Sequence, residues 1–156
     1  AEKKFGRDAS IKGIWSGNDT IWRTVVDLNH IERYADKQGK LQKSQQRKIL
    51  NLGDMIIAGD HNGPCQPDPK PMGALIASED SVAMDLVVCK MIGFPEDKIP
   101  MVRAIMNGEA TYLLGEDGLN PNVNTNESLE SGFLRDMNFP IEWSYKPHDN
   151  WKSIVE

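Results

Sequence analysis

The sequence predicts a single α/β or α+β domain in which helices pack on a mixed β-sheet. Three observations carry that expectation. Apolar residues recur at helical spacing over residues 20–36, two short apolar runs at 49–58 and 73–77 have strand character, and a run apolar on every side follows at 82–92. A chain of 156 residues has the size of one domain, and its 39% hydrophobic content suffices for a core without disulfide or metal staples.

Residues 11–15 read as a short strand, after which Ser16-Gly17-Asn18-Asp19 supplies turn and cap residues. Ile21, Trp22, Val25, Val26, Leu28, Ile31 and Tyr34 then follow at helical spacing, so residues 20–36 are expected as an amphipathic helix stopped by Gly39. A polar run to Lys48 is read as a loop or short helix. The largely apolar 49–58, interrupted at Asn51 and Asp54, reads as one strand with a bulge or as two short strands. Two glycines and four prolines in residues 59–72 forbid regular helix and predict a stiff loop.

Beyond that loop, 73–77 is a short apolar strand and Ser78-Glu79-Asp80 offers a helix cap. The helix from Val82 to Ile92 is expected to be buried all round, with Gly93 and Pro95 as its stop. Pro100 starts another short helix, closed by Asn107-Gly108. Residues 109–156 are expected to be mostly irregular. Phe139, Ile141, Trp143 and Tyr145 alternate with polar or Pro positions, which predicts an aromatic strand held to a sheet edge by Pro140. The expected core is Trp22, Val25, Leu28, Ile56, Ile57, Leu75, Ile76, Val82, Leu86, Val87 and Ile92.

Net charge is −5, unevenly placed: residues 1–53 hold 11 basic and 6 acidic residues, and the remainder is acidic. The basic run at residues 40–48 has no aromatic side chain on which bases could stack, so a solvated turn is favoured over nucleic acid as its explanation. Cys65 and Cys89 lie 24 positions apart and form no zinc or iron-sulfur motif. No run of about 18 apolar residues could span a membrane. The chain begins with Ala rather than Met, which raises the expectation of a removed leader or upstream domain and leaves the compartment open. Walker, GxGxxG, GxSxG and HExxH motifs are absent, so nucleotide hydrolysis, dinucleotide redox and serine-hydrolase chemistry lose their strongest support.

Chemistry is expected first in the Gly/Pro loop, which gathers Asp60, His61, Asn62, Cys65, Asp68 and Lys70 at the end of an apolar strand. Asp60 and His61 are the candidate metal ligands or acid/base pair, and Lys70 would neutralise a phosphate or carboxylate. The competing explanation is ordinary turn chemistry. Asp85 is a lone carboxylate in an apolar helix, for which a backbone hydrogen-bond partner is favoured over a ligand role. Asn18, Asp19 and Arg23 form a third cluster at a helix start, where capping is favoured over anion binding. His30 and His148 have no catalytic partner in sequence.

Three segments carry a family resemblance. They are Trp15-Ser16-Gly17-Asn18-Asp19-Thr20-Ile21-Trp22-Arg23 with Asp27-Leu28-Asn29; Asp54-Met55-Ile56-Ile57-Ala58-Gly59-Asp60-His61-Asn62-Gly63-Pro64; and Pro69-Lys70-Pro71-Met72-Gly73 running into Asp80-Ser81-Val82-Ala83-Met84-Asp85. Their order and spacing resemble the C-terminal part of proteins grouped as domain of unknown function 362, over about residues 11–105. The resemblance implies a preceding α/β region, and in some members a ferredoxin-like segment whose cysteine clusters are absent from this sequence, so no iron-sulfur role is carried over. It points to Asp54, Gly59, Asn62, Gly63, Pro64, Lys70, Asp80 and Asp85 as site positions. The family pattern has Gly where this chain has Asp54 followed by Met55, and Gly or Glu around Asp60 and His61.

Two functions are therefore expected: a small-molecule or metal-binding domain of an enzyme, whose loop, Lys70 and Asp85 line a pocket for an anionic ligand or metal; or a noncatalytic module whose aromatic edge strand and acidic C-terminal half dock a partner domain or subunit. Convergence of Asp60, Asn62, Lys70 and Asp85 on one cavity would favour the first, and engagement in separate turns the second.

Overall fold

The computed structural model describes residues 19–64, 66–126 and 129–152. The expected strand at 11–15 lies outside them. Helix α1 (Ile21–Tyr34) forms on the predicted helical spacing and buries Val26 and Arg33, which lie two turns apart on one face. Its N-cap is Thr20, without a side-chain cap bond. Asp19, expected as the cap, instead accepts from Trp22 Nε1 at 3.0 Å and Arg23 Nε at 3.2 Å, so side-chain donors take the carboxylate from the backbone. The helix stops before Gly39, at Ala35, where the chain turns extended. Arg47, within the polar run, reaches back to donate to the carbonyls of Ile31, Glu32 and Ala35, placing a cation on the negative end of the helix dipole.

The Gly/Pro segment is not a free loop. Strands β1 (Asn51–Asn62) and β2 (Gln66–Ser78) form one long antiparallel hairpin that runs straight through it, from Asn51 opposite Ser78 to Asn62 opposite Gln66. Pro67, Pro69 and Pro71 are tolerated because they alternate, so all three missing N–H groups fall on one edge of β2, the edge that does not pair with β1. The expected irregularity appears as a register shift between Met55 and Ile57, opposite Gly73, whose φ of +65° suits glycine. A second, two-residue ladder pairs β3 (Asn122–Val123) with β4 (Gly132–Phe133) inside the stretch read as loop. Among the described residues both ladders are antiparallel, and together with the helices they make the single mixed α/β domain that the sequence predicts.

Helix α2 (Ser81–Ile92) begins as predicted, Asp80 accepting from the Val82 amide, and ends at Gly93 in the left-handed region, whose N–H reaches the Cys89 and Lys90 carbonyls. It buries Val82, Leu86, Val87, Cys89 and Met91. The hairpin approaches it closely at Gly53, where a Cβ would lie 2.7 Å from Ile76 Cγ2 and from Met84 Cε. Helix α3 (Pro100–Met106) starts on its proline and adds Val102, Ala104 and Ile105 to the core. Residues 139–145 do not form the expected edge strand. Ile141–Trp143 is a 3-10 turn entered from Pro140, Phe139 stacks on Trp143 at 6.2 Å between ring centres, and Ile141 is left 84% exposed.

The core contains the α2 residues expected of it, with Trp22, Ile76 and Ile92 partly buried at its margin. Leu28, Ile56, Ile57 and Leu75 are exposed, contrary to expectation. The hairpin has two apolar faces, and among the described residues only one of them is covered, through Met55 and Met72. No described helix is long and apolar enough to cross a membrane.

Candidate functional site

The turn at the hairpin tip brings four of the sequence candidates together. His61 takes a left-handed φ of 62°, unusual for a residue with a side chain, and this turns its ring away from Asp60 next to it in sequence. Asp60 points inward and is buried. Its Oδ1 accepts from the His61 and Lys146 amides, each at 2.7 Å, and its Oδ2 lies 3.7 Å from Lys70 Nζ. Lys70 donates to the Ser144 carbonyl at 2.5 Å and sits 5.5 Å from the centre of the Tyr145 ring. Burial first, and the Asp60 carboxylate second, push the Tyr145 phenol above its ordinary value.

On the outer side, His61 lies between two carboxylates, Nδ1 at 3.4 Å from Asp68 and Nε2 at 3.2 Å from Asp149. Asn62 and Asp149 bond reciprocally: the Asn62 amide donates to Asp149 Oδ2 at 3.0 Å, and the Asp149 N–H donates to Asn62 Oδ1 at 3.3 Å. Lys152 completes the group, 2.8 Å from Asp149 Oδ1. Lys152 first, then Asn62 and His61, hold the Asp149 carboxyl well below the usual carboxylate range.

Asp60, His61, Asn62 and Lys70 thus converge, but onto residues 144–152 of their own chain. Asp60 and His61 face opposite ways and do not form the expected metal-ligand pair. No group of three or more His, Cys, Asp or Glu side chains fit to hold a metal occurs among the described residues. The cavity beside the tip, lined by Gly59, His61, Gly63, Tyr145 and His148 among others, holds about 190 Å³. That is below the roughly 300 Å³ at which ordinary small-molecule sites begin.

The remaining candidates lie elsewhere. Asp54 is exposed and its carboxylate accepts from the Ile56 amide at 3.0 Å, a turn bond at the hairpin irregularity. Asp80 both caps α2 and pairs with Arg33 at 3.2 Å. Asp85, expected to have a backbone hydrogen-bond partner, has an exposed side chain on α2, yet desolvation first and the Asp80 charge second still raise its carboxyl above the ordinary value. Asp19 and Arg23 pair with each other on the surface, and Arg23 stacks over Trp22 at 4.3 Å. Asn18 and Cys65 lie outside the described residues.

Sequence reading missed two polar groups that organise the molecule. Arg33 is buried and donates to the Leu113 carbonyl at 2.8 Å as well as to Asp80. A signal was present, since Arg33 falls seven positions after Val26 on the apolar face of α1. Asp149 stood in a Pro-His-Asp-Asn stretch with no local hint of its partner, which is 87 positions away in sequence. Comparison of the chain with protein-family models, with curated proteins and with solved structures returns no match.

Proposed function

We propose that this chain is an assembly module, docking a preceding α/β region or a partner subunit through the uncovered face of its long hairpin. The observation that carries the reading is the exposure of Leu52 (71%), Ile57 (69%) and Leu75 (65%) on the hairpin face opposite Met55 and Met72. A near-continuous apolar strand is the pattern of a strand covered on both faces, and a contiguous exposed apolar patch marks an interaction surface. An isolated two-stranded ribbon is also at best marginally stable, so a further layer on that face would strengthen it. The resemblance to domain of unknown function 362, in which an α/β region precedes this part, agrees with such a layer.

The enzyme reading, with an anionic ligand or metal at the loop, has less support. Asp60, Asn62 and Lys70 are engaged by residues 144–152, Asp85 lies apart on α2, and the cavity at the tip is small.

Lysine substitutions at Ile57 and Leu75 test the assembly reading. With the face free in the isolated chain, each variant keeps its unfolding free energy within about 0.5 kcal/mol, as exposed positions do, and loses any concentration-dependent association seen by light scattering. Losses of about 2–5 kcal/mol, the range for disrupted core positions, would mean that the chain covers this face itself, and the reading would fall.

A further inference from the structure

We draw no further inference here: the strongest candidate, the cavity of about 830 Å³ between the end of α1 and the start of α2, carries charges of both signs on its walls, the unpartnered Nε of Arg33 in its lining is closed to solvent, and nothing in the structure shows what covers it.

Discussion

Arg33 of α1 and Asp80, 47 positions apart, meet at 3.2 Å just before the start of α2, and the same Asp80 oxygen accepts the Val82 amide at 2.9 Å. One carboxylate therefore caps a helix and neutralises a buried guanidinium. Gly115 is held against it so closely that a Cβ there would lie 2.0 Å from the other carboxylate oxygen. Asp80→Ala removes the cap, worth about 1 kcal/mol, and orphans a buried charge at about 3 kcal/mol or more, so urea unfolding should show a loss of about 3–5 kcal/mol. Arg33→Met should cost less, since Asp80 is partly exposed and keeps its cap bond. Equal, small losses for both variants would show that the pair does not hold the two helices. Gly115→Ala should lose about 1–3 kcal/mol by overpacking against the same carboxylate.

Asp60 tests the clasp between the hairpin tip and residues 144–152. Asp60→Ala leaves the Lys146 and His61 amides without their acceptor, at about 1–3 kcal/mol. The loss should be local: residues 144–152 become sensitive to proteolysis while the exchange of α2 amides is unchanged. Asp60→Asn, which keeps one carbonyl acceptor, should recover part of the protection. A uniform loss of protection across α2 would make Asp60 a core residue rather than a clasp.

Asp149 predicts an acid limit for that clasp. Its carboxyl titrates below its ordinary 3.8 when docked, so the ionised form favours docking. The contribution is fully present above the ordinary value and is lost as pH falls through the lowered one. The amide signals of Lys146 and Asp149 should therefore stay constant from pH 7 to 5 and change only below about pH 4. Asp149→Ala should shift them toward free positions already at pH 7. Identical acid profiles for parent and variant would assign the change to other carboxylates.

Cys89 should be inert in the folded chain. Burial first, then the charges of Asp85 and Glu96, push its thiol up to about 12, so almost no thiolate exists at neutral pH. In a Cys65→Ser background, alkylation by iodoacetamide at pH 8 should proceed only at the rate of unfolding and become rapid in denaturing urea. Fast labelling of the native protein would contradict the burial of α2.

Much of the fold was legible locally. Periodicity, Asp80 and Gly93 placed α2 almost to the residue, and Pro100 placed α3, because caps and stops act within one or two turns. Composition could not separate a stiff loop from a hairpin arm at residues 59–72, because prolines on one edge are compatible with both. Alternation at residues 139–145 predicted a strand, but among the described residues no strand pairs with it, and ring stacking of Phe139 on Trp143 accompanies a turn instead. Pattern also placed Leu28, Ile57 and Leu75 in the core, since apolarity reports a preference for burial without saying what does the burying.

The sequence by itself determined the helices, the apolar strands and the polar composition of the loop, all of which depend on interactions between near neighbours. Only the tertiary structure decided how those polar groups are used. Asp60 meets Lys146 across 86 positions and Asn62 meets Asp149 across 87, so the tip's hydrogen bonds are spent within the chain. The physical reason is that a buried carboxylate or amide must be satisfied by whichever donor the fold brings within about 3 Å, and that partner is set by chain topology rather than by local pattern.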